Sequence, residues 1–177
     1  SVDIATDTIH FRAWRINVGR CPLYLLDANL PGNPAHYRDL TLRVYGGDTT
    51  TRIQQEILLG IGGAKLMRAL GKAPSVFHMN EGHAAFLALE LIREKMADGD
   101  GFSGALAATR EECIFTTHTP VPAGHDRFSP ELMSYSLCRY EKQLDLTHKE
   151  LMALGRLDAQ DDAEQFCMTV LALNTAR

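Results

Sequence analysis

Apolar residues along the chain follow two periods. Residues 8–17 alternate, with Ile9, Phe11, Ala13 and Ile16 set against His10, Arg12 and Arg15, and only Trp14 breaks the pattern. Alternation of this kind predicts a strand. The apolar run 21–26 predicts a second, more buried strand. Turn residues make 27–34 a loop. Residues 37–45 predict a short helix with Tyr37, Leu40 and Val44 on one side, stopped by Gly46 and Gly47. Asp48 or Thr49 then caps a helix running to about Leu70, in which Ile53, Ile57, Ile61, Ala64 and Met67 recur at helical spacing. Gly60, Gly62 and Gly63 interrupt it, each at a cost of about 1 kcal/mol relative to alanine. Three such residues predict a neighbour packed close to the backbone.

Further on, 74–79 predicts a buried strand and 82–97 a helix facing inward through Ala85, Leu89, Ile92 and Met96. Ser103 is read as the cap of a helix through Arg110, and 113–116 as the next strand. Strand, helix, strand is the unit of a parallel α/β sheet. Ser129-Pro130-Glu131 has the residues of a helix start, followed by Met133, Leu137, Tyr140 and Leu144. Thr147 caps a short helix over 148–154, closed by Gly155. Residues 160–164 read as solvated, and 166–173 as helical. The chain contains no internal repeat.

Composition narrows the class. The chain has 177 residues, 45% hydrophobic and 23% charged, which suits one globular domain. A net charge of −4 with interspersed signs gives no electrostatic case for nucleic acid or an anionic membrane. No apolar run approaches the roughly 20 residues of a spanning helix. Cys21, Cys113, Cys138 and Cys167 are far apart, which predicts reduced thiols in a cytoplasmic protein rather than a zinc site. The chain opens without signal-peptide features and ends inside an apolar pattern, so a fragment of a longer protein is expected.

The candidate chemistry lies at two strand exits. Residues 75–83 run from an apolar stretch into His78-Met79-Asn80-Glu81-Gly82-His83. Residues 115–125 run into Thr117-His118-Thr119-Pro120-Val121-Pro122-Ala123-Gly124-His125. Ligands of open α/β sheets bind outside the carboxyl ends of the strands, so both exits should face one crevice. His118 is the foremost candidate, against the alternative of a histidine satisfied inside a turn. Asn80, Glu81 and His83 offer donors and acceptors suited to hydroxyl-rich ligands, with helix capping by Asn80 as the competing reading. His78 and His83 do not form an HExxH motif, and no metal is expected. Gly46-Gly47-Asp48 reads as a helix stop and cap. Arg52, Gln55 and Glu56 read as a solvated face or ordinary salt bridges.

Several runs in order resemble the α-glucan phosphorylases, the glycogen and maltodextrin enzymes, and most closely their bacterial short type. They are Tyr45-Gly46-Gly47-Asp48, Arg52 through Gly63, His78 through His83, and Thr117 through His125. The resemblance covers nearly the whole chain. It implies a Rossmann-like parallel sheet flanked by helices, part of the first domain of a two-Rossmann-domain glycosyltransferase. Residues 1–177 would be part of that N-terminal domain, without the cofactor-binding C-terminal domain. The implied reaction moves a glucosyl unit from the non-reducing end of an α-1,4-glucan to inorganic phosphate, giving glucose 1-phosphate. The implied cofactor is pyridoxal phosphate, attached outside this stretch. His118 would sit at the glucosyl site as the catalytic residue. Asn80, Glu81 and His83 would line or support the cleft, and Asp48 would lie on its gating loop. A homodimer is one expectation for the full-length protein.

The resemblance has departures. The loop after Asp48 is shorter than in the animal enzymes, Glu81 stands where they carry aspartate, and Gly82 replaces a hydroxyl residue. Two other readings stay open: a nucleotide-sugar-dependent glucan synthase, and a non-catalytic glucan-binding module. The module is weakened by a single Trp, Trp14, and the lack of an aromatic platform.

Overall fold

The structure is a computed structural model that describes residues 1–43 and 47–177. Val44, Tyr45 and Gly46, placed above in a helix and its stop, lie outside the described residues. Among the described residues, eight strands form four two-stranded sheets around a set of helices. β1 (Val2–Ile4) and β2 (Asp7–Ile9) are antiparallel, as are β3 (Arg12–Val18) and β4 (Cys21–Asp27). The expected strand over 8–17 is therefore two strands, broken at His10 and Phe11. The second expected strand also differs. β4 is mostly exposed, and so is β3, leaving Trp14, Ile16, Val18, Leu23 and Leu25 at the surface.

A short helix, α1 (Ala35–Arg38), leads to α2 (Thr49–Ala69). Asp48 caps α2 by accepting a hydrogen bond from the Thr51 N–H at 2.8 Å. Ile53, Ile57, Ile61 and Ala64 are buried, as their spacing requires. The close neighbour expected at the glycines exists at Gly60, where a Cβ would lie 2.7 Å from the Leu87 nitrogen and 2.9 Å from the Ala84 carbonyl. Gly63 has nothing within 4 Å, so the expectation fails there.

β5 (Phe77–Asn80) and β6 (Cys113–Thr116) form the parallel pair, with Asn80 opposite Thr116. The crossover between them carries a 3-10 turn (Gly82–Ala84), α3 (Leu87–Ala97) and α4 (Phe102–Glu112). α4 starts after Gly101, not at Ser103, which lies inside the helix. In β5 only Met79 is buried. Among the described residues the parallel sheet is two strands wide, so the architecture is α/β with small sheets.

The remainder closes the core. β7 (Arg127–Phe128) leads into α5 (Pro130–Gln143), capped by Ser129, and buries Met133, Leu137 and Tyr140. Tyr140 also donates from its hydroxyl to buried Glu90, which Arg93 pairs on its other side. Thr147 and Glu150 form a capping box on α6 (His148–Ala153). β8 (Phe166–Cys167) pairs with β7 and runs into α7 (Met168–Asn174), so the helix expected over 166–173 begins as a strand. All four cysteines are free. No helix among the described residues is long and apolar enough to cross a membrane.

Candidate functional site

Because β5 and β6 are parallel neighbours, their carboxyl ends release both polar turns at the same edge. Glu81 joins them. Its N–H donates to the Thr116 carbonyl at 2.8 Å, and its carboxylate accepts from the His118 N–H at 2.8 Å and from the Thr117 and Thr119 hydroxyls at 3.0 Å each. Glu81 is buried and its φ is +63° with ψ 175°, a conformation that glycine alone adopts without cost. The His118 N–H, followed by the two hydroxyls, holds its carboxyl well below the usual range, at about 2. Glu81 is thus a fixed anion that shapes the 117–119 turn.

Above it, the His118 imidazole is 61% exposed, with Nδ1 3.2 Å from the Glu81 carboxylate and Nε2 3.1 Å from Asn80 Oδ1. Asn80 therefore does not cap the following turn, as the competing reading had it: it ends β5 and meets His118. His118 and the flanking Thr117, Thr119 and Pro120 line a shallow cleft of about 270 Å³ with His125.

His83 belongs to a second cluster. Its Nδ1 lies 2.8 Å from Arg52 Nη2, 3.1 Å from Asp126 Oδ2 and 3.4 Å from Glu56 Oε1. Arg52 also reaches Asp126 at 3.1 Å and Glu56 at 3.3 Å. Arg52 and Glu56 are one turn apart on α2, and Glu56 is 1% exposed. The expectation of a solvated face is overturned at Glu56, because the 82–84 turn and the Asp126 loop pack over it. Burial pushes the Glu56 carboxyl up to about 8. Asp126 and Glu56 push the His83 imidazole up to about 9, although the Arg52 guanidinium competes for the same Nδ1. Asp126 is held low by His83, Glu56 and Arg52, against the desolvation that would raise it.

Glu56, His83 and Asp126 bring three ligand atoms within 4.8 Å of one another. The Arg52 guanidinium already supplies a cation at that point, which argues against a metal ion. Arg52, His83 and Asp126 form one wall of a cleft of about 520 Å³ that also takes in Asp48, Thr119 and Arg127. Asp48 therefore lies at the mouth of the space His83 faces, and Thr119 connects it to the His118 turn. The Arg12 guanidinium sits 4.8 Å over the Trp14 ring, and the Trp14 indole N–H donates to Asp27.

No family model matches the chain. Curated relatives do. The chain is 42% identical to the maltodextrin phosphorylase of Thermococcus litoralis over 175 residues, 99% of the chain and 20% of that protein. It is 44% identical to a glycogen phosphorylase of Mycobacterium tuberculosis over 178 residues, 94% of the chain and 20% of the relative. To the glycogen phosphorylase of Aquifex aeolicus it is 29% identical over 99% of the chain and 25% of the relative. By sequence, the chain belongs to the glycogen and maltodextrin phosphorylases. It spans about a fifth of the length of the first of these relatives.

In this phosphorylase stretch, Asn80, Glu81 and His118 come together at one sheet edge. His83 stands apart from them in the Arg52 cluster, and Asp48 stands at the rim. Sequence reasoning missed Asp126 and the burial of Glu56. The signal available was the Arg52–Glu56 spacing on the same helix face, with an Asp-Arg pair at 126–127 just beyond the His118 turn.

Proposed function

We propose that the full-length protein transfers a glucosyl unit from the non-reducing end of an α-1,4-glucan to inorganic phosphate, releasing glucose 1-phosphate. The supporting observation is the pinning of the His118 turn by Glu81 across neighbouring strand ends, at the edge of a polar cleft. In this reading β5, α3, α4 and β6 are one unit of a wider Rossmann-like sheet in an N-terminal domain. His118 touches the glucosyl residue. Its turn is preorganised, so its dipoles need not reorient as positive charge develops at the anomeric carbon. Asn80 orients the imidazole. His83 and Asp48 meet the glucan further along the cleft.

Glycogen phosphorylases imply pyridoxal phosphate, whose phosphate group would supply proton transfer to the substrate phosphate. The residues present do not fit its attachment. Among the described residues no lysine lines either the His83 cleft or the His118 cleft, and Lys95 and Lys149 are engaged with Glu112 and Asp162. In this reading the attachment point belongs to another part of the full-length protein.

The test is glucose 1-phosphate release from maltodextrin and phosphate by the full-length protein, with nucleotide-sugar turnover measured in parallel. Phosphorolysis that is lost in His118→Ala supports the reading. Glucan synthesis from a nucleotide sugar without phosphorolysis rejects it. The 177 residues alone are expected to release no glucose 1-phosphate and to bind no pyridoxal phosphate.

A further inference from the structure

We propose that Glu56 is a positioning residue of the cleft: as a neutral carboxylic acid hydrogen-bonded to Asp126, it holds His83 and the Arg52 guanidinium against the glucan-facing wall. This rests on the reading of the cleft given above. Three elements meet at the cluster. α2 brings Arg52 and Glu56, the 82–84 turn brings His83, and the loop before β7 brings Asp126. Their charged or titratable atoms converge on one imidazole nitrogen, with Asp126 at 3.1 Å and Glu56 at 3.4 Å.

Two carboxylates this close do not both stay ionised in a partly desolvated site. Geometry decides which one keeps the proton. Asp126 is partly exposed and faces Arg52 through both Nε and Nη2, at 3.2 and 3.1 Å, so it is the natural anion. Glu56 is buried, and its Oε2 has no hydrogen-bond partner. As a carboxylate it would leave a charged oxygen buried and unpaired, which is costly. As a neutral acid it leaves only an uncharged oxygen there and can donate to Asp126. Burial and Asp126 both push its titration upward, in agreement.

The role is distinguishable from that of an ordinary Arg52–Glu56 salt bridge. A neutral acid is imitated by glutamine, and an anion by aspartate. In the full-length protein, Glu56→Gln should keep phosphorolysis at pH 7 within about twofold of the parent. Glu56→Asp, which withdraws the group by a methylene, should lose about ten- to a hundredfold through misplacement of His83. Glu56→Gln should also move the alkaline limb of the pH–rate profile. A second readout needs no activity: the pH dependence of His83 acylation by diethyl pyrocarbonate, followed by peptide mass spectrometry. Its midpoint should fall in Glu56→Gln, where no second carboxylate can form beside the imidazole next to Asp126.

Loss of activity in Glu56→Gln with retention in Glu56→Asp overturns the proposal, as does parental activity in both. A Glu56→Gln protein that does not fold, or an unshifted His83 profile, overturns it as well. Absence of phosphorolysis in the parent itself instead rejects the functional reading, while the acylation profile still decides whether Glu56 positions His83.

Discussion

Substituting Gly60 by alanine tests the contact that seats the His83 turn. The added Cβ would meet three backbone atoms: the Leu87 nitrogen at 2.7 Å, the Ala84 carbonyl oxygen at 2.9 Å and the Phe86 carbonyl carbon at 3.1 Å. None of these is the end of a flexible side chain. Either α2 or the start of α3 must move, and overpacking of this kind costs about 3 kcal/mol at the upper end of its usual range. Alanine recovers about 1 kcal/mol of helix propensity. The net loss of about 2 kcal/mol corresponds to a fall in Tm of about 4–8 °C for a chain of this size. Gly63→Ala is the matched control, in the same helix with nothing within 4 Å of its Cβ. It should gain up to about 1 kcal/mol, a rise of about 2–4 °C. Thermal unfolding followed by circular dichroism reads both. If the two variants shift in the same direction, the close approach at Gly60 is not what holds the turn.

Three further outcomes are expected. His118→Ala should lower phosphorolysis by the full-length protein about 10²-fold or more, yet leave Tm within about 2 °C, because the side chain is 61% exposed; a large stability loss would mark it as structural. Glu81→Gln should disorder the 117–119 turn, since an amide NH₂ would face donors that now meet a carboxylate; amide exchange at His118 should rise, and unchanged protection refutes the role. The pH dependence of stability has a definite sign at the Arg52 cluster. Glu56 is raised from 4.5 to about 8 and His83 from 6.5 to about 9, so the folded state holds protons the unfolded chain releases, and these contributions are present at low pH and fade as pH rises through those windows. Tm should therefore decline between pH 5 and 9, over about that range, and the decline should be shallower in Glu56→Gln; a decline of equal steepness in both proteins argues against Glu56 as a contributor.

The parts of the fold set by local chemistry were legible in the sequence. Asp48, Ser129 and Thr147 cap the helices they precede because each oxygen reaches an N–H only three residues away. The buried stripe Met133, Leu137, Tyr140 and Leu144 follows the helical spacing even across a kink at Leu137. What failed depended on partners far along the chain. The run over 21–26 is apolar enough for a buried strand, but among the described residues α2 meets the hairpin along β4 and most of both strands stays exposed. The helix expected from 82 starts at Leu87 because Glu81 turns the backbone to positive φ and commits Gly82–Ala84 to a 3-10 turn. At the site, Asn80 and His118 were legible as candidates because they end adjacent strands. Glu56 was not, because Asp126, which makes its burial tolerable, lies seventy residues away.

That long-range dependence explains why the cleft's two walls form one unit. The Asp126 carbonyl accepts from the Met168 N–H at 3.0 Å, and His125 Nδ1 meets the Thr169 hydroxyl at 2.8 Å. The same two residues press on Gly82, where a Cβ would lie 3.1 Å from Met168 and the Thr169 nitrogen. The start of α7 therefore holds the Asp126 loop by hydrogen bonds and the His83 turn by contact. Glu81 completes the frame from the other side, tying the turn after β5 to the turn after β6. The Glu81 carboxylate, at a backbone angle suited to glycine, reaches the His118 N–H and both hydroxyls together. Strain at Glu81, close packing at Gly82 and the shared charges around His83 thus act together: they fix polar turns from separate parts of the chain relative to each other, as a preorganised cleft requires.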